Sequence, residues 1–132
     1  TTFVGANRRA LLDSTSQEIT VYLRFSRQKA LSQEEGQGWG VHFDNPSSGD
    51  AFWALFKGTV YSSTSSRENI SLSRQLKYLT PATGATVDVV FNPLTGLVSA
   101  TRTIEITLKS EQSATTFKRT ITVNQAGTIS VE

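Results

Sequence analysis

The sequence predicts an α+β fold, with one long N-terminal α-helix packed on antiparallel β-sheet. Three observations predict it. The first 35 residues hold no glycine after Gly5 and no proline, and their apolar residues recur at helical spacing. From Gly36 onward the chain breaks into short alternating apolar segments separated by Gly, Pro, Asn and Ser. No helical pattern lies between those segments, so neighbouring strands are expected to run antiparallel. The expected division is 1–35 as the helix and 36–132 as the β-domain.

Leu12, Thr15, Ile19, Leu23, Ser26 and Ala30 follow the i, i+3/i+4 rhythm and fall on one face. Tyr22, Phe25 and Leu31 widen that face toward the C-terminal end, and charged residues from Arg8 to Glu35 fill the remainder. Gly36 stands where a left-handed C-cap is expected. From Phe3 to Glu35 the helix would run roughly 50 Å at 1.5 Å per residue. The β-domain should be nearer ~30 Å across by compact-domain scaling. The apolar face is richest after Ile19, so the second half should lie on the sheet and the part up to Thr15 should project or pack elsewhere. Leu12, Ile19, Leu23 and Ala30 are the candidate assembly face of the helix.

Trp39, Val41 and Phe43 alternate with Gly40 and His42, the period of a half-buried strand. The run 45–50 is dense turn chemistry, and Phe52 to Phe56 returns as the second arm of a hairpin. Val60-Tyr61, Ile70 to Leu72 and Leu76 to Leu79 are shorter candidates. Val87, Val89 and Phe91 alternate, as do Ile104, Ile106 and Leu108. Phe117, Ile121 and Val123 point one way, and Ile129 with Val131 closes the chain. One face of this sheet must be buried, by the helix or by a second sheet.

At 132 residues the chain is long enough for one core. It is 37% apolar and 18% charged, a globular composition, and its mild net charge of +2 does not by itself announce a nucleic-acid binder. Cysteine is absent, which removes disulfides, thiolate catalysis and cysteine-based zinc sites together. Methionine is absent too, position 1 included, so the chain is read as part of a longer gene product. No apolar run approaches the ~18 residues needed to span a bilayer.

Catalysis finds little to build on. A hydrolase triad needs a base, and the one histidine, His42, is expected to face solvent from its strand. Asp44, Asn45 and Asp50 with loop carbonyls could hold calcium, but Pro46 and Ser48 occupy ligand positions of the EF-hand pattern; a hairpin turn explains the same residues. Glu34 and Glu35 are adjacent at the helix end and face apart. No phosphate-loop, dinucleotide or nucleophile-elbow motif occurs, and no cofactor or metal is expected.

Two binding features remain. Arg102, Lys109, Lys118 and Arg119 fall in two neighbouring strand regions and form a candidate anion or DNA patch, with Tyr61 or Tyr78 for stacking. Edge-strand charge that blocks aggregation accounts for the same residues. Trp39, Phe43, Phe52, Trp53 and Phe56 crowd into 18 positions. Phe52, Ala54 and Phe56 share one strand face and Trp53 and Leu55 the other, so an aromatic must be exposed or covered by a loop or a neighbour.

The segment Glu18-Ile-Thr-Val-Tyr-Leu-Arg-Phe-Ser-Arg-Gln-Lys-Ala30 resembles the helix end of GspH/FimT-like pilins and pseudopilins, where L-R-x-A/S-R-x-x-A precedes a first strand. Val89-Val-Phe-Asn-Pro-Leu-Thr-Gly96, then Ile104-Glu-Ile-Thr-Leu108, then Arg119-Thr-Ile-Thr-Val-Asn-Gln-Ala-Gly-Thr-Ile129, is similar to that family's ending. Residues 57–85 carry no matching motif. The resemblance implies a structural subunit, a minor pilin or pseudopilin, of a type IV pilus or type II secretion-like filament. It implies a leader cut by a prepilin peptidase and an apolar half-helix ahead of Thr1 that anchors the protein in the membrane. It implies other pilin or pseudopilin subunits and an inner-membrane assembly platform as partners, in the bacterial envelope or a surface filament. No catalytic residues come with it. A filament-borne binding module for DNA or for surface glycans is the alternative.

Overall fold

The computed structural model describes residues 3–32, 36–109 and 118–132. Helix α1 spans Phe3–Leu31, 29 residues and therefore about 44 Å at 1.5 Å per residue. Eight strands follow: β1 (Trp39–Asn45), β2 (Phe52–Lys57), β3 (Ser66–Ser71), β4 (Leu76–Thr80), β5 (Ala85–Phe91), β6 (Arg102–Leu108), β7 (Lys118–Val123) and β8 (Ile129–Val131). They form two four-stranded sheets, β3-β2-β1-β5 and β4-β6-β7-β8, with every pairing antiparallel. Glu34, Glu35 and Phe117 lie outside the described residues.

The helix lies across both sheets, against β1 and β5 of the first and β6, β7 and β8 of the second. The period of two decides what it meets. In β1, Trp39, Val41 and Phe43 face inward, level with Leu55 and Trp53 of β2 and with Phe91, Val89 and Val87 of β5. Ile104, Ile106 and Leu108 of β6 and Ile121 and Val123 of β7 complete one core, which Leu12, Ile19, Leu23 and Ala30 seal from the helix side. Each such leucine, isoleucine or valine side chain contributes about 1.5–3 kcal/mol by leaving water. The helix also buries Ser16 and Thr20, whose hydroxyls donate back to the carbonyls of Asp13 and Ser16 at 2.8 and 2.9 Å.

The structure departs from expectation at three places. The part of the helix up to Thr15 does not simply project: Leu12 is 1% exposed, and Asp13 is ion-paired to Arg119 of β7. Nor does Gly36 cap the helix. Although Gly36 has the left-handed φ of +71°, α1 ends at Leu31, and the Leu94 amide donates to the Ala30 carbonyl at 3.0 Å. Val60-Tyr61 is a loop, and Tyr61 folds back over the outer face of the first sheet. That loop is what covers the second aromatic face.

Candidate functional site

On the outer face of the first sheet, Gly40, His42 and Asp44 of β1 stand beside Phe56, Ala54 and Phe52 of β2 and Val90, Asp88 and Thr86 of β5. Gly40 admits the Phe56 ring, because a Cβ there would stand 2.7 Å from its Cζ. Tyr61 meets Phe56 edge-on at 5.7 Å and stacks on His42 at 3.8 Å with the planes 3° apart. His42 is not solvent-facing; it is 5% exposed. Burial is compensated by charge: Nδ1 bonds the Asp88 carboxylate and Nε2 the Asp44 carboxylate, the latter at 3.1 Å. Burial disfavours the imidazolium, but the hydrogen bonds and charges of Asp88 and Asp44 outweigh it and hold the pKa above the ordinary value. In the imidazolium form both nitrogens donate, and no lone pair is left to act as a base. The cluster is a charged tie between β1, β5 and the Tyr61 loop.

The sequence offered no signal for this tie except the single histidine. Asp88 lies 46 positions away and becomes its neighbour only through the β1–β5 register. Asp44 binds His42, while Asp50 pairs with Arg74 at 3.6 Å, so the calcium candidates are drawn to different partners. Among the described residues no group of three acidic, histidine or cysteine side chains is arranged to hold a metal.

The candidate anion patch does not converge. Arg102 pairs in register with Val123 and Lys118 with Thr107, which puts them at opposite ends of the β6–β7 ladder. Lys118 and Arg119 are adjacent in one strand and so point to opposite faces. Lys118 donates to Glu105 at 3.0 Å and Arg119 to Asp13 at 2.6 Å. Lys109 joins a different group. With Arg74 and Lys77 it lines a cleft of about 260 Å³ at the β4 edge. Lys77 opposes Thr107, two residues before Lys109, so both lysines share one face of the sheet.

The candidate assembly face is corrected as well. Leu12, Ile19, Leu23 and Ala30 are buried in the protein's own core and are not available to another subunit. What the helix leaves outside is a neighbouring strip: Val21 is 59% and Phe25 46% exposed, flanked by Glu18, Tyr22 and Glu68 of β3. The Tyr22 hydroxyl reaches Glu68 at 3.5 Å, and Lys29 Nζ sits over the Phe25 and Trp39 rings at 4.7 and 4.6 Å. The sequence pattern merged this strip with the buried stripe, because both carry apolar residues at helical spacing.

The helix end is held by two glycine turns. Gly96, in the β5–β6 connection, has φ +65° and would place a Cβ 3.0 Å from Leu31 Cδ2; Gly127, between β7 and β8, has φ +83° and would place one 2.6 Å from Arg27 Nε and 2.5 Å from the Gly96 carbonyl. Arg27, Ala30, Gly96 and Gly127 all belong to the motif residues quoted above, and the fold brings them to one place.

No protein-family model and no curated protein sequence matches this chain. Two solved structures are similar in fold. The type IV minor pilin FimU of Pseudomonas aeruginosa superposes with a TM-score of 0.63 at 20% identity, over 92% of each chain. The minor pseudopilin EpsH of the type 2 secretion system of Vibrio cholerae superposes with a TM-score of 0.61 at 16% identity, over 92% of this chain and 95% of that one. The chain has the fold of a type IV pilin or pseudopilin: one long helix laid across antiparallel sheets.

Proposed function

We propose that this protein is a structural subunit, a minor pilin or pseudopilin, of a type IV pilus or type II secretion-like filament. The carrying observation is the helix. It buries one stripe in its own domain and leaves Val21 and Phe25 exposed on another, which suits an element serving a domain and a neighbour together. The two similar structures, each covered over more than nine-tenths of its length, support the reading. The role is structural, not catalytic. Its partners are other pilin or pseudopilin subunits and the inner-membrane assembly platform. No described helix is long and apolar enough to cross a membrane. The protein then belongs to the bacterial envelope or a surface filament. To test this, the full-length gene product is tagged in its native cells and the sheared filament fraction probed. Presence in that fraction, with assembly or secretion impaired on deletion, is expected. A tagged protein confined to the cytosol, with assembly unchanged on deletion, sinks the reading.

A second reading, a filament-borne module for DNA or surface glycans, is favoured by Lys77 and Lys109, which share a cleft with the Arg74–Asp50 pair. Phosphate contacts there make binding salt-dependent. Replacing Lys77 and Lys109 by Gln should weaken binding to any DNA sequence and lower the salt slope by about 1 per lost contact. An unchanged slope removes the DNA version.

A further inference from the structure

The two flanks of the buried helical stripe differ in chemistry. On the side of β3 lie Glu18, Val21, Tyr22, Phe25 and Glu68, with two carboxylates beside the apolar groups and Lys29 over the Phe25 ring. On the side of the β7–β8 turn lie Arg24 and Arg27, which with Gln28, Gly127, Thr128 and Ile129 line a cleft of about 350 Å³. None of those lining residues is acidic. Arg27 Nε is buried and has no hydrogen-bond partner among the described residues. A buried charged donor without an acceptor is costly, and a guanidinium fork is shaped to take a carboxylate through two parallel bonds. Gly127 lets Arg27 pack this closely, since any Cβ there would press on Nε itself.

We infer that the Arg24–Arg27 cleft is a carboxylate-binding site whose occupant is the Glu18–Phe25 flank of a second copy of this chain. The inference rests on the filament reading and names the surfaces that would serve it. Charge complementarity selects the occupant. One flank presents two carboxylates, Glu18 and Glu68, beside exposed Val21 and Phe25; the other presents two guanidinium groups beside the half-buried Ile129.

The absence of cysteine makes the test clean. Purified Phe25→Cys and Gln28→Cys variants of the chain are mixed and oxidised, and the disulfide-linked heterodimer is measured against salt. The expected result is a dimer that falls at least about tenfold in yield with Arg24→Glu in the Gln28→Cys partner. Yield should return when Glu18→Arg is added to the Phe25→Cys partner. Arg24→Glu leaves the Arg27–Gly127 packing in place, so the result does not depend on whether an Arg27 variant folds. Absence of the dimer, or a yield indifferent to Arg24→Glu, overturns the inference. So does stabilisation of the wild-type chain by acetate or citrate, lost in Arg24→Glu, with no dimer formed; the cleft then takes a small carboxylate. If the dimer is missing while the full-length protein is found in the filament fraction, this inference fails and the filament reading stands.

Discussion

Asp13 and Arg119 are 106 positions apart in the chain and meet in an ion pair of 2.6 Å, which fastens the first half of α1 to β7. Both side chains are partly exposed, so the pair contributes about 0.2–1 kcal/mol. Its larger effect is local. Arg119→Ala and Asp13→Ala should each raise amide exchange in α1 before Ser16 while leaving the Ile19–Ala30 segment protected. The double variant should add little to either single one, as measured by hydrogen exchange. Equal exchange gains along the whole helix would show that the pair is not a local fastening.

The His42 tie makes stability depend on pH. Its folded pKa is raised, so its contribution is complete below the unfolded value of about 6.5 and is lost as pH climbs through the folded value. The groups facing the ring are Asp44, Asp88 and the Tyr61 ring. Thermal unfolding from pH 5 to 9 should show Tm falling through this window in the wild type, with the step absent in His42→Gln. Parallel curves for the two proteins would assign the step to another group.

Glu105 gives the opposite sign. Its hydrogen bond from Lys118 and another from Thr80 hold its pKa below the ordinary value. Its contribution is present above about pH 4.3 and disappears as pH falls through the lowered folded value. Glu105→Gln should therefore lower Tm at pH 7 and converge with the wild type near pH 2.

Gly127→Ala places a methyl group in the left-handed region and against Arg27 Nε and the Gly96 carbonyl. The backbone term alone is about 1–2 kcal/mol, and the overlap adds to it. A loss of at least about 2 kcal/mol in urea unfolding is expected. Gly49→Ala, left-handed but with nothing within 4 Å, should lose only the backbone part.

The two helical strips separate by substitution. Leu23→Ala in the core should cost about 2–5 kcal/mol, whereas Val21→Ser or Phe25→Ser should stay within about 0.5 kcal/mol. Denaturant unfolding checks the stability arm, and recovery of the full-length variants in filaments checks the assembly arm.

The α+β class and most strands were legible in the sequence because burial imposes a period: 3.6 on Leu12, Ile19 and Leu23, and 2 on Trp39, Val41 and Phe43. What that period leaves out is which side of an element a second layer covers. His42 alternates as an outward residue should, and it does point away from the helix. Tyr61, 19 positions on, then closes over it, and no local pattern encodes that return. The anion patch misled for a related reason: neighbours in the chain are opposites across a strand, so Lys118 and Arg119 part company. The two arginines of the helix motif were quoted for resemblance, but only the approach of Gly127 shows what surrounds one of them.

The order of strands ties the two sheets into one folding event. β4 falls between β3 and β5 in the chain yet pairs in the other sheet, so the first sheet cannot be finished without carrying the chain through the second. The helix, made first, meets β1 early in the chain but gains its partners in the second sheet only with β6, β7 and β8, near the far terminus. No half of the sequence therefore encloses a finished core. Loss of the last dozen residues should expose hydrophobic surface along the helix, leaving no smaller folded body behind.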